Sequence, residues 1–155
     1  MTEYFWLKTL HIISATVLMG TGTGIAFFML MAVRSGQQQV IHRVSKIVII
    51  ADWLFTAPAV VVQLLTGLRL VSVVNYSYTA PWFLWTAVLF VLVGCCWLPV
   101  VWIQYQLHHL SASETSLVSR RFRMLMRFWI ALGVPAFVAM IAIFWLMVAK
   151  PVAVI

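Results

Sequence analysis

The chain has 155 residues, of which 65% are hydrophobic and 8% charged, with a formal charge of +7. Soluble domains carry roughly 25% charged residues, so this balance, with a mean hydropathy of +1.07, excludes a soluble globular protein. The basic residues collect between apolar stretches, which points to membrane topology rather than to a nucleic-acid partner.

Runs of about 18 or more apolar residues read as membrane-spanning helices. Four are expected, at about 4–33, 47–74, 81–106 and 124–149, as one integral membrane domain over 1–155. The fold class is all-α, an antiparallel four-helix bundle. The first apolar run is too long for the core of a secretory signal and no basic segment precedes it, so a cleavable signal peptide is not expected.

The first helix opens with Lys8 and His11, both costly to place in hydrocarbon and therefore a functional hypothesis by default. On an ideal helix His11, Leu18, Gly22 and Met29 share one face, and Thr16, Gly20 and Gly24 form a small-residue ridge opposite. Such ridges let a neighbouring helix approach closely, so neighbours are expected on both sides. Gly22 leaves room for a flat ring or simply for packing.

The connection SGQQQVIHR follows, with Arg34, Arg43 and Lys46 in and around it. The second helix carries a polar stripe of Asp52, Thr56, Gln63 and Thr66. Asp52 is expected either to pair with Lys46 or Arg43 or to belong to a proton or ion relay. Pro58 should kink this helix, as Pro99 and Pro135 should the later ones. Arg69 lies near its far end, before the uncharged turn NYSYTA.

The third helix contains Cys95 and Cys96, whose adjacency disfavours a disulfide; they read as small packing residues. The third connection, LHHLSASETSLVSRR, adds a second basic group with Arg120, Arg121, Arg123 and Arg127 in or beside it. Basic loops stay cytoplasmic, so both termini are expected outside, with Trp6, Trp82 and Trp85 in an interfacial belt. On the fourth helix Gly133, Met140 and Met147 share a face, and Lys150 closes it. Methionines on a buried stripe fill cores or ligate metals.

This topology gathers Lys8, His11, Arg69 and Lys150 at the outer face, with Glu3 nearby. Each cation alone is explained by snorkelling to the interface; together they would cradle an anionic group. A neutral imidazole there suits b-type haem, or copper with methionine thioethers beside it; the bland alternative is a structural, hydrogen-bonded histidine. Met147 or Met140, or a second subunit, would have to supply any further ligand, because His42, His108 and His109 fall in the opposite connections. No hydrolase elbow, P-loop, dinucleotide fingerprint or H-E-x-x-H signature occurs.

The stretches FWLKTLHII, ADWLFTAPAVVVQLLTGLRLV, PWFLWTAVLFVLVGCCWLPVVW and FWIALGVPAFVAMIAIFWLMVAKP resemble a bacterial family of four-helix inner-membrane proteins catalogued as a domain of unknown function. The resemblance covers nearly the whole chain. More distantly, Trp6 to Ile13 and the pattern from Pro135 to Lys150 and Pro151 look similar to HemJ-type protoporphyrinogen oxidase, and copper-resistance protein D, with comparable helices, resembles the same broad group. That likeness implies His11 as a haem ligand. It does not extend to a histidine after Arg34, nor to an Asn-Glu pair before Pro135, where Leu132, Gly133 and Val134 stand.

The expectation is thus a bacterial inner-membrane protein that binds b-type haem near its outer face, in electron transfer or porphyrin chemistry; whether it is an enzyme, as a haem-dependent oxidoreductase would be, is left open by the sequence. His11 is the metal ligand, and Lys8, Gly22, Arg69, Met147 and Lys150 are the further cofactor contacts. The alternatives are a copper-handling or transport protein and a non-enzymatic accessory subunit of a membrane complex. The expected partners are the lipid bilayer and either a second copy of the chain or a membrane redox partner.

Overall fold

A computed structural model describes residues 2–113 and 119–150. Every regular element among them is helical: α1 (Thr2–Ser35), α2 (Gln38–Ala51), a π-helical turn (Asp52–Thr56), α3 (Ala57–Val73), α4 (Pro81–Leu110) and α5 (Arg120–Ala149). The segment α2–π turn–α3 is one continuous span, so four helices are long and apolar enough to cross a membrane. At most 28% of the most hydrophobic window of any span is buried within the chain. The remaining apolar surface, with Phe28, Leu65, Trp85 and Trp145 on it, faces lipid, whose hydrocarbon leaves no backbone group unpaired except at a cost that helices avoid.

The spans run longer than the sequence suggests. Gln38 already begins α2, nine residues before the expected boundary, and only Gly36 and Gln37 separate it from α1. The reversal is possible because Gly36 takes a left-handed φ of 66°, a conformation that glycine adopts without a Cβ penalty. His42, Arg43 and Lys46 therefore ride on a helix, and so do His108 and His109 at the end of α4. At the start of α5 the Ser119 hydroxyl caps the helix, accepting from the Phe122 amide at 3.1 Å.

The helices associate as two pairs. α1 packs along α2 and α3, and α4 packs along α5. The pairs join towards the end carrying Arg34, Arg43 and Arg121, here called the basic end. There Met29, Ile41, Val48, Ile103, Leu107, Phe122, Met126 and Trp129 form the buried core. Contact between α1 and α5 is slight, and the small-residue ridge at Thr16, Gly20 and Gly24 has no helix against it: a Cβ added at Gly20 or Gly24 meets nothing within 4 Å. The expectation of neighbours on both sides of the first helix is thus not met within the chain.

Pro58 acts through the turn before it. Proline lacks an amide hydrogen and its ring clashes with the carbonyl four residues back, here that of Leu54. The chain widens at Asp52–Thr56, where the Ala57 amide reaches back five residues to the Asp52 carbonyl. Single π-helical turns of this kind absorb such a conflict without breaking the span. Pro99 and Pro135 stay inside continuous helices.

Candidate functional site

His11 sits between α1 and α3, and both of its ring nitrogens have partners. The Thr66 hydroxyl donates to the Val62 carbonyl at 2.6 Å, so it accepts from His11 Nδ1–H at 2.9 Å. Nε2 is thereby left with its lone pair, which accepts from the Gln63 amide at 3.0 Å. Gln63 Oε1 in turn accepts from the buried Ser14 hydroxyl, one turn along α1. Gly67 lets the ring lie against the α3 backbone, because a Cβ there would stand 3.1 Å from His11 Cε1. Four side chains thus form a polar staple between two apolar helices.

The expected outer cradle is dispersed. Arg69 is engaged with Glu3, its Nη2 2.7 Å and its Nε 2.9 Å from Oε1. Lys8 lies over the Tyr4 ring at 5.3 Å, and Lys150 over Tyr76 at 4.7 Å and Trp82 at 5.6 Å, in cation–π contacts. Pro151 lies outside the described residues. Gly22 and Met140 face a different region, and Met147 belongs to α5, which meets α1 only slightly. Nε2 of His11 is the ring atom that would hold a haem iron, and it could do so only if the Gln63 amide turned aside. Among the described residues no group of three His, Cys, Asp or Glu side chains could hold a metal ion, so a copper site would have to draw on thioethers.

The polar stripe of the second span serves two places. Gln63 and Thr66 hold His11, whereas Asp52 and Thr56 border a cavity of about 520 Å³ between the two helix pairs. Asp52 does not pair with Lys46 or Arg43; its Oδ1 accepts from Trp97 Nε1 at 3.3 Å. Cys96 is buried beside the same cavity, while Cys95 is exposed, and both are free thiols.

A third polar group, which sequence reasoning missed, joins α2 to α4 at the basic end. The Ser45 and Ser111 hydroxyls each donate to a carbonyl three residues back, at 2.9 and 2.6 Å. They therefore accept, crosswise, from His108 Nδ1–H and His42 Nδ1–H, each at 3.0 Å. The two imidazoles stack with centroids 4.3 Å apart, and Gln38 donates to the Ser111 carbonyl at 2.7 Å. The spacing of Ser45 three residues after His42, and of Ser111 three after His108, carries this pattern in the sequence. Placing both histidines in loops hid it.

No curated protein and no solved structure matches this chain. A likeness to HemJ-type oxidase or copper-resistance protein D is thus not shown. A family model does match, over residues 5–151, nearly the whole of the described chain: the chain belongs to DUF2269, described as a predicted integral membrane protein.

Proposed function

We propose that this integral membrane protein binds b-type haem near its outer face, with His11 as axial base, and works in electron transfer or porphyrin chemistry. The observation that carries the reading is the tautomer of His11. Thr66 holds the proton on Nδ1, as ligating histidines are usually held, and the lone pair on Nε2 meets only a neutral amide. Turning Gln63 aside gives up two hydrogen bonds, to His11 and from Ser14, each worth about 0.6 kcal/mol on average between helices in a membrane.

When bound, haem supplies one-electron redox chemistry. The chain's own part is to orient and shield. Thr66 and Gly67 hold the imidazole plane, and Lys8, three residues before His11 on the same helix, offers a cation to a propionate. Arg69 can do the same only by sharing itself with Glu3.

The test is an absorption spectrum of the detergent-purified protein, expressed with ample haem. A Soret band that is lost in His11→Ala and kept in Gln63→Ala is expected. Protein without a Soret band, or His11→Ala with its haem retained, overturns the reading.

A further inference from the structure

The cavity between the helix pairs is a separate site. It is walled by apolar side chains from all four spans, among them Leu18, Phe90, Val100 and Phe137. Among the described residues, the buried side-chain nitrogens and oxygens without a hydrogen-bond partner are Asp52 Oδ2, Thr56 Oγ1, both amide atoms of Gln104, and Trp129 Nε1. All four residues border this one cavity, and they are 4%, 8%, 2% and 6% exposed.

Native proteins leave few such groups unsatisfied, and each calls for an explanation. Five such atoms, on four residues that border a single apolar chamber, amount to a recognition set whose polar ends must turn towards the chamber to meet an occupant. The widened turn that Pro58 imposes carries two of them, and π-helical turns recur at functional sites.

The groups define what would complete them. Trp129 Nε1 and the Gln104 amide nitrogen donate, Gln104 Oε1 accepts, Asp52 Oδ2 accepts as a carboxylate, and the Thr56 hydroxyl, which has no partner of its own, can do either. The occupant's head must therefore both donate and accept. No lysine, arginine or histidine lines the cavity, so an anionic head would meet the Asp52 carboxyl with nothing to balance it. The head is neutral. Its body is apolar, and Trp97, Trp129, Phe90 and Phe137 suit a flat ring. Water alone would satisfy the polar groups but leave most of a chamber of about 520 Å³ with apolar walls to be wetted, which such walls resist. Between the helix pairs α1 meets α5 only slightly, and α3 meets α4 less still, which leaves a route from the bilayer.

We propose that Asp52, Thr56, Gln104 and Trp129 form an intramembrane binding site for a lipid-soluble phenol or hydroquinone, which enters between the two helix pairs. The site is distinct from His11, which does not border the cavity, so the two proposals stand or fall separately.

The experiment measures binding of decylhydroquinone to the purified protein in nanodiscs, by quenching of tryptophan fluorescence. Its dimethyl ether, which keeps the ring but has no donor, and decanoate, which is anionic, serve as controls. Decylhydroquinone should bind at least tenfold more tightly than either. Gln104→Leu should weaken it about tenfold or more, and His11→Ala should leave it unchanged. Gly133→Leu keeps every polar group and fills the cavity, since a side chain there meets open space; it should abolish binding while the protein melts no lower. Equal binding of the dimethyl ether, unaltered affinity in Gln104→Leu or Gly133→Leu, or no binding at all overturns the proposal and leaves the polar groups to ordered water only.

Discussion

At the scale of single residues, a hydroxyl that donates to its own helix decides what its partner must do. Thr66, Ser45 and Ser111 each spend their proton on a carbonyl three or four residues back, so each histidine facing them is held with its proton on Nδ1. The close seat of His11 on Gly67 can be tested directly. Gly67→Ala adds a methyl 3.1 Å from His11 Cε1, and overpacking of this kind costs about 1–3 kcal/mol. Against it stands about 1 kcal/mol of better helix propensity. Gly67→Ala should therefore lower thermal stability in the native background and be neutral or stabilising alongside His11→Ala. A double-mutant cycle of melting in detergent measures the difference, and additivity of the two substitutions would show that the ring is not seated there.

At the scale of elements, the second span shows how one imino acid sets the aim of several side chains. Pro58 has no amide to give the Leu54 carbonyl, and the π turn ahead of it holds Asp52 and Thr56 at the cavity wall. Pro58→Ala restores the missing donor and removes the cause of the wide turn. The span should tighten to a regular α-helix and gain up to about 3 kcal/mol of stability, with decylhydroquinone affinity falling as Asp52 and Thr56 rotate. A melting curve and the fluorescence titration on the same preparation check both halves. Higher stability with undiminished affinity would mean that the turn does not aim these groups.

At the scale of the whole molecule, packing is uneven from end to end. The buried core lies towards the basic end, while Leu18 and Met140, nearer the middle of their helices, border the cavity. Orientation follows from charge: Arg34, Arg43, Lys46 and Arg121 should lie in the cytoplasm. In a chain whose Cys95 and Cys96 are replaced by alanine, Thr79→Cys should react with a membrane-impermeant maleimide in intact cells, and Gln39→Cys only after permeabilisation. The opposite labelling would invert the topology.

Membership of an all-helical, four-span integral membrane class was legible in the chain itself, because hydrocarbon demands long apolar runs and self-satisfied backbones. The isolated imidazole at His11 was legible too, since a polar residue in an apolar run has no concealment. Its partners were not. Gln63 and Thr66 were visible only as a stripe, and which stripe residues meet His11 depends on how α3 rests on α1. The cavity was beyond reach for the same reason: Asp52, Gln104 and Trp129 lie on three different spans, and their convergence is created only by packing. Local periodicity sets what each helix can bury. The fit between helices decides which polar groups find one another and which are left unpaired beside an open chamber.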